Sequence, residues 1–502
     1  MMEHLPVLVV VIPLIVSVIV PLIGRLNKSY CWYAAMAVTF FCFVSALSLT
    51  STVMQAGRIS YWLGGWEPPW GIEISIDYLN AFVLCVVAFI SFAVSVFSKK
   101  SIEAEIGEDR FVTFYTVFML FITGLMGIVV TGDIFNLYVF IEIASLSGYA
   151  LIAVGKRKEA LMASYNYLIL GTIGATFILL GIGYLYMVTG TLNMADLQAR
   201  LPQLYHSKTV LTAFAFFTVG LSIKLALFPL HIWLPNAYTY APSVVSALMA
   251  ATATKVGAYA MLRIMFTVFN VEFDLEIVPV SKILSFISAI AILAGSIFAL
   301  AQTNIKRMLA YSSVGQIGYI VLGATLANEI AMTGSIMHVL NHSLMKACLF
   351  LVVGAVVYKT GVDDISGFKG LGKKMPISMA AFTIAALSMI GVPFTVGFVS
   401  KWYIAVGALE AGKWYFVPIV LASSLLTVIY MWRVIELIYF PPPHADEAQR
   451  RFEQRGRDQK INEAPWTMLV PIVVIALLCV FFGMKSSVPM AVAGKAAGML
   501  LN

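Results

Sequence analysis

The sequence predicts an all-α polytopic membrane protein with about fourteen transmembrane helices, and three observations support this prediction. Of its 502 residues, 61% are hydrophobic and 11% are charged, whereas a soluble domain holds about 25% charged residues. Apolar runs of about 20 residues, long enough to cross a bilayer, recur along the whole chain. The runs are continuous rather than alternating, which favours helices over a transmembrane barrel.

Taken in order along the chain, the predicted spans group into four segments. We place them at 4–24, 31–50, 78–98, 112–131, 133–154, 162–188, 209–229, 243–268, 282–302, 306–327, 330–358, 377–408, 413–440 and 466–485. Residues 1–110 hold helices 1–3, and the first run lacks a basic n-region, so it is predicted to be a retained helix. Residues 111–270 hold helices 4–8, residues 271–440 hold helices 9–13, and residues 441–502 hold a cytoplasmic loop and helix 14.

Lysine and arginine residues are distributed unequally between the two sets of loops. Nineteen lie in the loops after helices 1, 3, 5, 9, 11 and 13, among them Lys306 and Arg307. The opposite loops hold five, which are Arg58, Arg200, Lys208, Lys282 and Lys413. The positive-inside rule then predicts a multi-pass protein of the cell (inner) membrane with both termini on the outer face. These loops account for the net charge of +7, which without interleaved aromatic residues does not indicate a nucleic-acid partner.

The sequence shows no motif for a redox group, a nucleotide or a metal. Its five cysteines lie in or beside apolar runs and form no CxxC pair. Rossmann and P-loop patterns are absent from the sequence, so we predict no cofactor and no metal site. The alternative in which His338 and His342 ligate a metal or haem is disfavoured, because a haem needs a facing histidine and no second span carries one.

Ionisable residues within the apolar spans are the strongest functional signal in the chain. They are Glu142, Lys224, Lys255, Lys346 and Lys401. Each costs about 2.5–3.5 kcal/mol near mid-bilayer on insertion scales, and five unpaired charges would exceed a net stability of about 5–15 kcal/mol. We therefore expect them to pair with each other or to reach internal water, as ionisable groups along an ion path do.

Structural roles are alternatives for some of these charges and their neighbours. Glu142 and Lys224 could form a static salt bridge that orients helices, although buried pairs seldom add much stability. Arg263 and Arg433 lie near span ends and are predicted to snorkel to the interface. Asp133, in the sequence TGD, is interpreted as a helix cap.

Two predicted spans are interrupted beside a lysine. In GLSIKLALFPLHIWLP the break at Pro229 follows Lys224, and in SMIGVPFTVGFVSKW the breaks at Gly391 and Pro393 precede Lys401. Irregular backbone is tolerated in lipid where it lines protein or a water-filled cavity. Paired interruptions in the two halves of a transporter indicate its ion path.

A polar stripe and an internal duplication complete the pattern. His338, His342 and Lys346 recur every four residues and so share one helix face. Imidazoles and an amine in that arrangement suit a proton relay. The order of a polar helix, a broken helix and buried lysines recurs near 112–268 and 282–440, which predicts two related blocks of five spans.

The runs KLALFPLHIWLPNAYTYAPSVVSALMAATATKVGAY, IKRMLAYSSVGQIGYI and HVLNHSLMKACLFL carry a resemblance to a known family. They resemble the antiporter-like membrane subunits, which include the large membrane subunits of complex I, the A and D subunits of Mrp antiporters, and membrane-bound hydrogenase subunits. The resemblance spans roughly 75–440. It implies fourteen helices with two inverted five-helix repeats, and the run GDIFNLYVFIEIASLSGYALIAVGKRKEA is most similar to the Mrp D subunit.

The resemblance also implies a role for each buried ionisable residue. Glu142 would pair with Lys224, Lys255 would pass protons toward the centre, and Lys401 would be the terminal residue. The relay between them would consist of His338, His342 and Lys346. Two positions depart from the family pattern: Gln316 stands where some complex I members carry histidine, and some members use glutamate in place of Lys401.

We therefore expect a non-enzymatic, proton-translocating subunit of a multisubunit Na⁺(K⁺)/H⁺ antiporter similar to the Mrp D subunit. Its partners would be other membrane subunits, the lipid bilayer, protons and monovalent cations. The alternative is a proton-pumping membrane-arm subunit of a complex I-like NADH:quinone oxidoreductase or a membrane-bound hydrogenase, driven by electron transfer in partner subunits. A non-conducting scaffold is disfavoured, because leucines at the buried ionisable positions would make a scaffold more stable.

Overall fold

The computed structural model describes residues 2–273, 278–440 and 461–501, and this part of the chain is mostly helical. The N-terminal segment contains three long helices and one hairpin. Its elements are α1 (Leu5–Leu26), α2 (Lys28–Ala56), β1 (Ile59–Trp62), β2 (Glu73–Ile76) and α3 (Tyr78–Glu105). The two strands pair antiparallel, with Ile59 opposite Ile76. Sequence analysis did not predict this hairpin.

The next segment contains the first interrupted helix. Its elements are α4 (Phe111–Val130), α5 (Ile134–Ala153), α6 (Lys158–Thr189), α7 (Met194–Arg200), α8 (Lys208–Lys224), α9 (Trp233–Tyr240), α10 (Ser243–Ala251), α11 (Ala253–Arg263), a π-helix (Ile264–Val268) and the single turn α12 (Asn270–Glu272). The predicted span 209–229 therefore ends as a regular helix at Lys224, and α9 continues the crossing after eight non-helical residues.

The second interrupted helix lies in the following segment. Its elements are α13 (Val280–Leu300), α14 (Ile305–Thr325), α15 (Glu329–Thr360), α16 (Leu371–Lys374), α17 (Pro376–Ile390), α18 (Val396–Glu410), α19 (Phe416–Tyr439), α20 (Trp466–Met484) and α21 (Ser487–Leu501). The predicted span 377–408 is thus two helices, α17 and α18. Helix α21 was not predicted, and it packs against α3 and α15.

The prediction of a helical, multi-pass membrane fold is confirmed. Eleven helical segments in the described part of the chain are long and apolar enough to cross a bilayer. Helix α14 and the interrupted pairs α8/α9 and α17/α18 lie outside that set, so the count of fourteen crossings stays a prediction. The basic loop predicted at 441–460 lies outside the described residues.

Helix α15 forms the centre of the bundle. Nearly all residues of its most apolar stretch are buried inside the protein. It packs against α3, α10, α14, α17, α18, α20 and α21. A buried helix is surrounded by neighbours on all sides. The polar stripe on α15 therefore faces other helices rather than lipid.

Two short backbone pairings support the predicted duplication. In the first half, Ile134 N–H donates to Leu192 O at 2.8 Å, and in the second half Ile305 N–H donates to Asp363 O at 3.0 Å. Ile305 follows Ile134 by 171 residues, and Asp363 follows Leu192 by the same 171 residues. Helices α6 and α15 are both 32 residues long and begin 171 residues apart, at Lys158 and Glu329. Helices α5 and α6 are therefore equivalent in position to α14 and α15.

Contacts between loops show which loops lie at each end of the helix bundle. At one end Arg157, before α6, forms a 2.8 Å salt bridge with Asp363, after α15. At the other end Asn193, before α7, donates to Glu73 in the hairpin at 2.8 Å. We call the first end the basic face, because it is where the lysine-rich and arginine-rich loops meet. The two equivalent pairings lie at opposite ends, which is the arrangement expected of an inverted repeat.

Candidate functional site

Lys224 is the last residue of α8, directly before the first interruption. Its Nζ donates to Ser145 Oγ at 2.8 Å and lies 3.4 Å from Glu142 Oε1. Glu142 and Ser145 share one face of α5 because they are three positions apart. The structure therefore places the two predicted groups together, but the shorter contact comes from a serine that sequence analysis did not single out.

An aromatic clamp fixes the backbone of this interruption. Pro229 lies in the non-helical stretch between α8 and α9. Trp233, the first residue of α9, donates from Nε1 to Ile223 O at 2.9 Å and stacks on Tyr167 with ring centroids 3.9 Å apart. The carbonyl beside Lys224 is thus satisfied by an indole, and the ammonium is left to contact side chains of α5.

A third interruption, which sequence analysis did not predict, lies beside Lys255. Thr252 separates α10 from α11 with φ −127° and ψ −55°. The Lys255 side chain is fully buried, and its Nζ donates to Ala250 O and to Thr254 Oγ1, the latter at 3.4 Å. A backbone carbonyl of the irregular turn therefore holds this ammonium, without a glycine or proline to mark the turn in the sequence.

Lys346 reaches from α15 to the second turn of α14. It is fully buried, and its Nζ donates to Leu309 O at 2.6 Å and to Ser312 Oγ. Lys255 lies within electrostatic range of it. Like charges that act on each other disfavour simultaneous protonation, so the pair suits transfer of a proton from one amine to the other.

The two histidines of the stripe differ in their contacts. His338 is bonded on both ring nitrogens, to Ser400 Oγ at 2.8 Å and to Gln316 Oε1 at 2.9 Å. His342 is fully buried, and neither ring nitrogen has a partner among the described protein atoms. The two rings are 5.9 Å apart. Gln316, at the position where some complex I members carry histidine, thus accepts a hydrogen bond from the His338 ring and holds it in place.

Lys401 lies against the second interruption. Gly391 ends α17 with φ +93°, a left-handed conformation that glycine adopts without strain. The Lys401 Nζ donates to Met389 O at 2.9 Å, to Ile390 O at 3.0 Å and to Ser424 Oγ at 3.1 Å. Here the carbonyls freed by the break around Gly391 and Pro393 do bind the ammonium.

Histidine or carboxylate clusters suited to a metal do not occur in the described residues. In 2–273, 278–440 and 461–501, no three His, Cys, Asp or Glu side chains converge closely enough to hold a metal ion. The buried ionisable groups instead contact serine hydroxyls, amide oxygens and backbone carbonyls. Such partners can hold a proton carrier and the waters beside it.

The prediction that Arg263 snorkels to the interface is wrong. Arg263 is 6% exposed and forms a bidentate pair with Asp77, with contacts of 2.7 Å and 2.9 Å. The carboxylate is nearby because it caps the start of α3. Arg433 does lie at a span end, half-buried, where it donates to Leu300 O at 3.2 Å.

Two further expectations for charged residues near span ends are settled by the structure. Asp133 is a helix cap, as predicted, and accepts from the Asn136 N–H at 2.7 Å at the start of α5. Lys306 is not a loop charge, because it is the second residue of α14 and is 4% exposed. The end of α9 covers it, and sequence analysis could not place that contact.

Three comparisons with known proteins agree with this architecture. Residues 131–427 match the family model described as NADH:quinone oxidoreductase/Mrp antiporter, TM. NADH-quinone oxidoreductase subunit N of Desulforudis audaxviator is 46% identical over 488 residues, which cover 96% of each chain. The D subunit of the Na(+)/H(+) antiporter of Alkalihalophilus pseudofirmus is 29% identical over 482 residues, covering 96% of this chain and 94% of that one.

A solved structure shares the fold as a whole. The archaeal membrane-bound sulfane sulfur reductase, a respiratory membrane complex, contains a chain that aligns with a TM-score of 0.90 and 31% identity. The alignment covers 99% of this chain and 98% of that chain. The similarity therefore extends through the interrupted helices and both termini.

Proposed function

Since this chain belongs to the NADH:quinone oxidoreductase/Mrp antiporter membrane-subunit family, we propose that it translocates protons through the membrane arm of a redox-driven multisubunit complex. The observation that carries this proposal is the set of buried lysines, each beside a helix interruption or in the central stripe. Neutral oxygen atoms hold Lys255, Lys346 and Lys401, and Lys224 contacts Ser145 as well as Glu142. An amine with neutral partners can release its proton without leaving a carboxylate buried alone.

The path runs along the bundle from α5 to α19. It begins at Glu142 and Lys224 and continues through Lys255. The central relay consists of Lys346, His342 and His338. It ends at Lys401, where α17 and α19 supply the oxygen partners. Water between these groups completes the transfer, because each amine already contacts hydroxyls or carbonyls that also bind water.

The Glu142–Lys224 pair acts as the controllable element. A static salt bridge would show close contact between both charges, whereas here Lys224 is nearer to Ser145 than to Glu142. Glu142 is 26% exposed, so its carboxylate retains access to the outside of this chain. A change in the charge of a neighbouring subunit at that surface therefore shifts the pair and alters the proton affinity of Lys224.

The comparisons favour the redox-driven alternative over the expected assignment to an Mrp D subunit. Identity to an NADH-quinone oxidoreductase subunit is 46%, against 29% for the D subunit of a Na(+)/H(+) antiporter over similar coverage. We propose that electron transfer occurs in partner subunits and that this chain carries protons alone. Both termini then lie outside and the basic face is cytoplasmic, following the positive-inside rule.

A vesicle assay on the complete complex tests this function. We expect Glu142→Gln and Lys224→Ala each to lower the rate of ΔpH formation by at least about tenfold, the equivalent of 1.4 kcal/mol in the barrier. The complex should still assemble. Lys208→Ala, at the exposed start of α8, is the matched control and should pump normally.

The same vesicles separate the two drivers. Pumping that needs an electron donor and an acceptor supports a redox complex, whereas collapse of a preset ΔpH by Na⁺ or K⁺ alone supports an antiporter. Normal transport in both the Glu142 and the Lys224 variants would contradict the proposed path.

A further inference from the structure

Lys306 is a buried amine to which the path above assigns no role. It is 4% exposed, and its Nζ donates to Ala241 O at 3.1 Å. Ala241 follows the last residue of α9, so the ammonium lies at the C-terminal, carbonyl end of α9. Among the carboxylates of the described residues, none forms a salt bridge with it. A buried lysine without an ion pair is costly and is a candidate for proton exchange.

Acidic groups lie around Lys306 at the basic face without pairing directly with it. The negative charges of Glu105, at the end of α3, and of Asp363, after α15, attract the Lys306 ammonium. The positive charge of Arg157 repels it. Glu105 accepts from Ser243 N at 2.9 Å and from Ser243 Oγ at 3.1 Å, at the start of α10. Asp363 is already bonded to Arg157. Glu105 also accepts from Ser101 Oγ at 2.7 Å. Half-buried Glu105 therefore has only neutral donors as hydrogen-bond partners, whereas Asp363 is paired with a cation.

Asp363 is held in its charged form. Burial would raise its pKa, but the hydrogen bond and charge of Arg157, together with the charge of Lys306, bring that pKa below its usual range. A carboxylate kept ionised in this way supplies a fixed negative charge beside Lys306. It does not compete with Glu105 as the group that takes up the proton.

The same first turns of α14 connect Lys306 to the central relay. Lys346 donates to Leu309 O and to Ser312 Oγ, which follow Lys306 by three and six residues. At 1.5 Å per residue these atoms lie about 4.5 Å and about 9 Å farther along the axis. Along α14, Lys306 thus lies between the basic face and the residues that hold Lys346.

We propose that Glu105 and Lys306 form the entry through which protons from the basic face reach Lys346. A proton leaves the Glu105 carboxylic acid and reaches the neutral Lys306 Nζ through an intervening water, which restores the carboxylate and forms an ammonium. The ammonium then gives a proton to water along α14, and that water protonates Lys346. This inference rests on the proposed proton-translocating function.

The competing explanation is that Lys306 only fixes α14 against α9. Its neighbour Arg307 already makes such a fixed contact. Arg307 donates from Nη2 to Asn236 Oδ1 of α9 at 2.7 Å. Arginine stays charged under all relevant conditions and suits a fixed contact, whereas lysine changes its protonation readily when buried. The two adjacent basic residues therefore have different properties on the same surface.

Substitution of Lys306 by arginine separates the two explanations in the complete complex. Lys306→Arg keeps the charge and a donor to Ala241 O but cannot release its proton, so we expect ΔpH formation to fall at least about tenfold. Glu105→Gln should make the pumping rate less dependent on pH at the basic face. Arg307→Lys is the matched control and should pump at the wild-type rate, with assembly checked by yield of the purified complex.

Normal pumping by Lys306→Arg would overturn the entry, as would an unchanged pH profile in Glu105→Gln. If Lys306→Arg fails to assemble, the Glu105→Gln profile decides the matter. Lys224→Ala is measured in parallel. If Lys224→Ala fails to pump while Lys306→Arg pumps, the proposed main path is supported and only the proposed entry is contradicted. Normal pumping by Lys224→Ala removes the path itself.

Discussion

Replacing Lys346 by methionine is expected to abolish proton translocation while leaving the complex assembled and at least as heat-stable as the wild type. Lys346 is fully buried and contacts Leu309 O and Ser312 Oγ. Methionine has a similar length and no charge, so it removes the cost of burying an amine while keeping the packing. It also removes the amine that the proposed path places between Lys255 and the histidines of α15.

The rate of ΔpH formation should therefore fall by at least about 100-fold, the lower end of what a positioned proton carrier contributes. The melting temperature of the purified complex should be unchanged or higher. Lys359→Met, near the C-terminal end of the same helix, is the control, since Lys359 contacts Asn462 at the surface. A Lys346→Met complex that pumps at the wild-type rate would contradict the relay, and one that fails to assemble would assign Lys346 a structural role.

The positions of the buried lysines were predictable because lipid makes them conspicuous. An ionisable residue interrupts an apolar run, and its energetic cost there is independent of the details of packing. The breaks at Pro229 and Gly391 were predictable for a similar reason, since proline and glycine mark irregular backbone. The break at Thr252 carries neither signal, because no glycine or proline lies at the turn.

Partners of the buried groups could not be predicted from the sequence. Ser145, Gln316 and Ser400 are ordinary helix residues, and they acquire a role only because α5, α14 and α18 bring them next to an amine or an imidazole. The burial of Lys306 depends on where α9 ends, which is a contact 65 residues away in sequence. Charge near a span end is therefore ambiguous between a topology signal and a buried group.

The two predicted interruptions differ chemically, although the sequence presents them alike. Lys224 contacts side chains, and one of them, Glu142, is ionisable. Lys401 contacts two carbonyls and a serine, none of which changes charge. The proton affinity of Lys224 can thus respond to its surroundings, whereas that of Lys401 is set by fixed dipoles. We therefore propose that coupling to a partner subunit occurs at the Lys224 end of the path.

Neutralising Asp77 is expected to have the opposite effect from neutralising Lys346. Arg263 is buried and bonded to Asp77 through two contacts of 2.7 Å and 2.9 Å. Asp77→Asn preserves the helix cap, since asparagine caps as well as aspartate, but leaves a buried guanidinium without its counter-charge. Removing one partner of a buried pair costs about 3–5 kcal/mol, so the yield and melting temperature of the assembled complex should fall sharply.

The double variant Asp77→Asn/Arg263→Met should recover part of this loss, because no buried charge then lacks a partner. Glu103→Gln is the control on the same helix, since it breaks a partly exposed pair with Lys100, worth about 0–1 kcal/mol. Whatever complex survives in the Asp77 variants should pump at the wild-type rate per molecule, because this pair stabilises the fold and does not exchange protons. Wild-type stability of Asp77→Asn would contradict the stabilising role of the Asp77–Arg263 pair. Loss of pumping in the fully assembled complex would contradict its absence from proton transfer.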